Sequence, residues 1–403
     1  MGRAAHGRFR WLFLRTSTRP KEFSFRRNAK VAPKDTDREH IGISARRVFA
    51  AQVKSGARPG SPTKTPVTSM STTETNLAGA PFVVAALYKF VDLHADEVET
   101  VQRELETLCD ANQIQGTLLL ANEGLNGTVA GSKDAVDTLT VYLRNSPFFA
   151  DIEIKLSSAL TAPFNRLKVK RKKEIVTIGD SSVRPVERVG TYVDPKDWNA
   201  LINQPDVIVI DTRNDYEYRV GRFEGAVNPD TTSFTEFPQY VKDNLNPDQH
   251  KRVAMYCTGG IRCEKSTSLL VEAGFEEVYH LHGGILKYLE HVAEGESLWQ
   301  GECFVFDQRV SLKHDLEEGT HQLCFACRQP LSPEEIALDS YEAGVSCVHC
   351  IDTVTPERRD GLRERMRQIR QARERGEEHI GDESIPSQRT RKRRDKARDT
   401  NVR

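Results

Sequence analysis

Cys257 stands directly after the apolar run Val253-Ala254-Met255-Tyr256, and the turn it opens, Thr258-Gly259-Gly260-Ile261, closes on Arg262. If that turn faces its backbone N–H groups inward and a helix starts at its end, the local potential around the sulfur is positive. Such surroundings lower a thiol pKa from about 8.5 to roughly 3.5–7.5. The thiolate so formed attacks electrophiles or carries sulfur. Arg262 adds a fixed positive charge, and Lys265, on the helix expected next, adds attraction for a phosphate backbone. Cys263 either resolves an oxidised Cys257 or packs that helix, and packing is the expectation. The loop alone also fits an inert cysteine at a strand end, so its context has to decide.

Four further cysteines form a second constellation. Cys324-Phe-Ala-Cys327 and Cys347-Val-His-Cys350 are separated by nineteen residues, a spacing at which two C-x2-C turns complete a closed tetrahedral site. A structural zinc ion is the expected occupant, with a redox-active or coincidental cysteine set as the alternative; His349 is not needed as a ligand. No secretory signal precedes the eight cysteines, so they do not read as a disulfide framework.

The elements that must position these residues follow from periodicity. Val207-Ile208-Val209-Ile210 reads as a buried parallel strand ending at Asp211-Thr212-Arg213, where an Asp–Arg pair would brace the loop. Strands and helices alternate from about residue 190 to 295, which indicates an α/β domain with a parallel sheet and its chemistry at the carboxyl ends of the strands. Upstream, strands are expected at Val83 to Val91, Thr117 to Ala121 and Gly127 to Ala130, with a helix from Asp96 to Cys109 and a further helix and strand behind them. That order is a ferredoxin-like α/β sandwich, a fold used for packing or as an RNA platform. The expected organisation is a basic extension and linker over 1–79, a ferredoxin-like domain over 80–160, a basic connector over 161–189, an α/β domain over 190–312, a zinc-ribbon-like module over 313–356, and an arginine-rich helix and tail over 357–403.

Charge is balanced overall, 58 Lys and Arg against 58 Asp and Glu, but residues 1 to 70 hold 16 basic and 4 acidic residues. Arginines from Arg3 to Arg27, interleaved with Trp11, Phe13, Phe23 and Phe25, read as a mitochondrial or plastid transit peptide or as a plain basic tail. Translation from Met70 would omit the extension and suit a cytoplasmic protein. No run of 18 apolar residues exists, which excludes a transmembrane helix. Lys168, Lys170, Arg171, Lys172 and Lys173 form a basic run with alternating apolar residues, suited to RNA phosphates or to a solvated strand. Arg391-Lys392-Arg393-Arg394 adds a basic patch in the tail.

The C-x4-R loop resembles that of rhodanese domains, which is sized for a persulfide, whereas related phosphatases use a loop one residue longer. Gly221 to Asn228 and His282-Gly283-Gly284-Ile285 resemble other rhodanese segments. Together with Gly116 to Thr128, Leu167 to Thr177, Cys257 to Lys265 and Gly301 to Val310, they make residues 80 to 370 similar to the rhodanese-containing tRNA uridine hydroxylases. The resemblance implies oxygen-dependent conversion of a wobble uridine to 5-hydroxyuridine in tRNA, with Cys257 active through a persulfide and Arg262 beside it. A sulfurtransferase and a catalytically silent RNA-binding scaffold remain the competing classes. The sequence shows no dinucleotide fingerprint, two-histidine iron set or flavin motif, and assigns neither an electron donor nor an oligomeric state.

Overall fold

The computed structural model describes residues 79–376. The basic extension with Met70 and the Arg391 to Arg394 patch lie outside the described residues. The first domain comprises β1 (Phe82–Phe90), α1 (Ala95–Ala111), β2 (Gln115–Ala121), β3 (Gly124–Gly131), α2 (Lys133–Asn145), β4 (Glu153–Ala159) and β5 (Leu167–Arg171). The sheet order β4-β1-β3-β2-β5 contains the ferredoxin-like arrangement, extended by one strand. β5 runs parallel to β2, Thr117 opposite Lys168 and Leu119 opposite Lys170. The segment expected as a connector thus begins as part of this sheet, because the alternation in Leu167-Lys168-Val169-Lys170 lets Val169 join the core.

Both helices cover the same face. α1 buries Val98, Val101, Leu105 and Cys109, and α2 buries Ala135, Val136, Leu139 and Leu143, at helical spacing. The Glu97 carboxylate accepts from the His94 N–H at 2.7 Å, and the Ser132 hydroxyl from the Ala135 N–H at 3.2 Å, which fixes where each helix starts. Along the strands, Val83, Ala85, Leu87, Leu118, Leu120, Leu125 and Val129 meet the helices. Truncating one such leucine to Ala costs about 2–5 kcal/mol. The alternate residues, among them Val84, Ala86, Tyr88, Thr117, Leu119, Asn126 and Thr128, face the other way and line a cavity.

The second domain holds β6 (Thr191–Val193), α3 (Pro195–Ile202), β7 (Val207–Asp211), α4 (Asp215–Val220), β8 (Gly221–Phe223), α5 (Phe237–Asn244), β9 (Arg252–Tyr256), α6 (Ile261–Glu272), β10 (Glu277–Leu281) and α7 (Gly284–His291). Its sheet, in the order β6-β10-β9-β7, is parallel throughout. From Val253 to Tyr256 β9 is apolar and buried because both its faces are covered. Ala254 and Tyr256 pack with Trp198 and Tyr288, whereas Val253, Met255 and Cys257 pack with Phe237, Val241 and Leu270.

Short strands follow: β11 (Trp299–Gly301) against β8, β12 (Cys303–Phe304) against β13 (Ser311–Leu312), and β14 (Gln322–Leu323) against β15 (Pro330–Leu331). Behind them come α8 (Pro333–Ile336) and α9 (Pro356–Glu374). Two of the α9 arginines are paired, Arg363 with Glu342 at 2.7 Å and Arg367 with Glu364 at 2.7 Å. Among the described residues no helix is long and apolar enough to cross a membrane.

Candidate active site and metal site

Cys257 leaves the end of β9 and its loop runs into the N-terminus of α6. The Gly260 N–H donates to Cys257 Sγ at 3.1 Å. Gly260 has φ +103°, which suits glycine, and a Cβ there would come within 2.8 Å of the Tyr88 hydroxyl. The loop carbonyls are held from behind: the Ile285 N–H donates to Cys257 O at 3.0 Å, and the Leu286 N–H to Thr258 O at 3.1 Å. Gly284, at φ +67°, makes that approach possible, since a Cβ would lie 2.5 Å from Cys257 O. With its carbonyls engaged, the loop turns amide hydrogens toward the sulfur.

Burial alone would raise the Cys257 pKa. Hydrogen bonding from the Cys263 thiol, the charge of Arg262 and the backbone N–H groups of Cys263 and Gly260 outweigh it, bringing the thiol down to about 6. Cys263 is itself buried, its thiol pushed up by burial and by Cys257, with its sulfur 3.6 Å from Thr212 Oγ1. It therefore packs the helix and also donates a proton toward Cys257.

Arg262 does not hang free in the loop. Its Nη1 and Nη2 meet both oxygens of Glu217 at 2.7 and 2.8 Å, in a buried bidentate pair. Burial pushes the Glu217 carboxyl up, but Arg262 foremost, with Arg213, holds it below the usual range. Thr258 Oγ1 lies 3.4 Å from both Glu217 Oε1 and Arg262 Nη2. Nearby, Arg213 pairs with Asp211 at 2.6 Å and donates to Gly221 O at 2.6 Å, bracing the adjacent loop.

Lys265 is placed otherwise than its position on α6 suggests. It is buried, with Nζ 2.9 Å from Glu123 and 2.6 Å from Glu174, so it joins the two domains and cannot reach a phosphate on the surface. The basic run is also divided by strand geometry. Lys168 and Lys170 share the face of Thr117 and Leu119, and Lys172 lines the cavity. Arg171 turns to the helix face, 3.8 Å from Glu99 on α1, and Lys173 lines a separate groove with Asp92 and Arg184. Arg166, Lys168, Lys170 and Lys172 have no ion-pair partner among the described residues. Burial, Arg166 and Lys170 together lower the Lys168 pKa, as in a patch of unneutralised positive charge.

The cavity of about 580 Å³ lies between the open face of the first sheet and the Cys257 loop. Thr258, Gly259, Ile261 and Arg262 form its floor with Cys257; Tyr88, Asn126, Lys155, Ser157, Phe306 and Arg309 form much of the remaining wall. Sequence reasoning missed Glu217, Tyr88 and these wall residues, although β1, apolar at consecutive positions from Val83 to Tyr88, already signalled that its second face needed a covering. Farther off, one sulfur from each of Cys324, Cys327, Cys347 and Cys350 lies within 4.8 Å of the others, a cluster that can hold a metal ion.

A parallel α/β sheet ending in a C-x4-R thiolate loop defines a rhodanese-type protein, and residues 194–291 match the rhodanese-like domain family. Residues 82–175 match the UPF0176 acylphosphatase like domain. The chain is 57% identical over 301 residues to the tRNA uridine(34) hydroxylase of Teredinibacter turnerae, covering 75% of this chain and 93% of that protein. It is 54% identical over 315 residues to the tRNA uridine(34) hydroxylase of Sinorhizobium fredii, covering 78% and 100%. It belongs to the tRNA uridine(34) hydroxylase family. A solved rhodanese-like domain from Anabaena sp. is 20% identical, covering 27% of this chain and 78% of its own, with a TM-score of 0.23.

Proposed function

We propose that this chain hydroxylates the wobble uridine of tRNA to 5-hydroxyuridine, with molecular oxygen as co-substrate, one oxygen atom entering the base and the other leaving as water on two electrons from an external reductant, and with Cys257, as thiolate or persulfide, as the active residue. The observation that carries this reading is a sulfur with a thiol pKa near 6, set in the wall of a cavity large enough for a nucleotide and flanked by Lys168, Lys170 and Lys172, which have no ion-pair partner among the described residues, in a chain whose relatives bear that name. Arg262 acts on the sulfur as a charge held in place by Glu217. Lys168, Lys170 and Lys172 attract the RNA backbone toward the cavity. Zinc is the metal this reading assigns to the four-cysteine cluster, as a structural ion whose thiolate ligands hold their module together. An import signal in the basic extension is tested by fusing residues 1–79 to a fluorescent reporter and locating it in cells.

The test of the reaction is complementation of cells lacking their own enzyme, followed by mass analysis of tRNA nucleosides. Wild type restores 5-hydroxyuridine whose added oxygen comes from labelled oxygen gas; Cys257→Ala loses the product and keeps its tRNA affinity. Product formation by Cys257→Ala would remove this cysteine from the chemistry. The C-x4-R loop also suits a sulfurtransferase, and a thiolated product in place of the hydroxylated one would move the chain to that class.

A further inference from the structure

Phe306 is 60% exposed, although it sits on the rim of the Cys257 cavity, where an apolar ring gains by being covered. Its loop is not loose. The Val305 N–H donates to Val310 O at 2.8 Å, and Asp307 and Arg309 form a buried bidentate pair, with Arg309 Nε at 2.9 Å and Nη2 at 2.7 Å from the carboxylate. Arg309 Nη1 then reaches across to the first domain, donating to Ser157 Oγ at 2.8 Å and to Ser158 O at 3.0 Å. The ring is steadied on one edge by Phe304, at 5.2 Å between centroids, and the Arg262 guanidinium lies 5.9 Å from its centre. An exposed ring, held by a buried charge network beside the active sulfur and close to a lysine-bearing sheet face, meets two needs of single-stranded RNA. One is a π-surface for an unstacked base, and the other is positive charge along the backbone.

We infer that Phe306 is a stacking platform for the nucleobase next to the target uridine, holding the strand open while the target enters the cavity. This rests on the reading of the substrate as an RNA uridine. Two alternatives fit the observations less well. An aliphatic ligand or an uncharged peptide would have no use for Lys168, Lys170 and Lys172, which lack carboxylate partners among the described residues. A purely structural ring would be buried, as Phe304 is.

The test is a cycle of substitutions with the full-length protein and an anticodon stem-loop RNA. Affinity is measured by fluorescence anisotropy for wild type, Phe306→Ala and Phe306→Trp. Each is titrated with the intact loop and with loops in which the base on either side of the target is replaced by an abasic site. The expected result is that one abasic site weakens wild type by about tenfold, the order of one base–aromatic stack. Phe306→Ala weakens binding of the intact loop by the same factor and is insensitive to that abasic site, while Phe306→Trp behaves as wild type. The melting temperature of Phe306→Ala stays at the wild-type value, because the ring is largely in solvent. If for both neighbours the losses from protein and RNA multiply, the platform is overturned. Coupled losses without any hydroxylated product would uphold the platform and overturn the proposed reaction.

Discussion

The Tyr88 hydroxyl, on the first strand of the N-terminal sheet, donates to Glu264 Oε1 on the helix behind the Cys257 loop at 2.8 Å, across 176 residues of sequence. The same hydroxyl lies against Gly260, so one side chain of the first domain touches both the loop and the helix that follows it. Burial raises the Glu264 pKa, and hydrogen bonds from Tyr88 and Tyr192 only partly oppose it. Tyr88→Phe is expected to cost about 1–3 kcal/mol, the penalty for a buried acceptor losing a donor. The folded pKa of Glu264 lies above the unfolded value of about 4.3, so its contribution is complete below that value and is lost as pH rises through the folded one. Denaturant titrations across this window should show stability falling with pH in wild type and a flatter profile in Glu264→Gln.

Alkylation of Cys257 by iodoacetamide should follow a titration with its midpoint near pH 6. Arg262→Gln removes the nearby charge and leaves Glu217 unpaired, so the midpoint is expected to rise by about one unit or more. Cys263→Ala should raise it as well, and Cys263→Ser less, since a hydroxyl still donates. Because the folded pKa is depressed, the stability it contributes is present above the unfolded thiol pKa and disappears as pH falls through about 6. An unchanged midpoint in Arg262→Gln would show that the Cys263 thiol and the loop backbone hold the thiolate without the arginine.

Strand parity predicts a split within the basic run. Lys170→Ala and Lys172→Ala should weaken tRNA binding and shallow its salt dependence by roughly 0.7 in log–log slope per lost phosphate contact. Arg171→Ala, on the helix face beside Glu99, should do neither. Lys265→Ala should destabilise the fold by on the order of 3 kcal/mol, by leaving Glu123 and Glu174 without their cation, while the folded protein binds tRNA as before. Filter-binding titrations at several salt concentrations decide both points, and an affinity loss in Arg171→Ala equal to that in Lys170→Ala would contradict the assignment.

Metal analysis of the reduced protein should give one equivalent of zinc. Its removal by a chelator, or Cys324→Ser, should expose amides between residues 322 and 354 to hydrogen exchange, because Leu331 and Val354 pack directly on the cysteines. Metal-free protein with unchanged protection there would show that the module holds by packing alone.

Some of this protein was legible in its residues because the chemistry is local. The Cys257 loop, the four-cysteine spacing and the strand and helix order each depend on neighbours within a few residues, where backbone geometry converts spacing directly into position. What the tertiary structure alone decided involves contacts made over long separations. Alternation showed that Lys168, Lys170 and Lys172 share a face, but only the packing of α1 and α2 determined that this face is the open one. A lysine three positions beyond Arg262 reads as a surface charge, and it is buried only because Glu123 and Glu174 arrive from distant segments to neutralise it. Glu217 fixes Arg262 from another helix, and Tyr88 closes the loop from another domain. No spacing rule reaches such pairs, since Glu217 meets Arg262 through packing within the second domain and Tyr88 meets the loop where the first sheet packs against it.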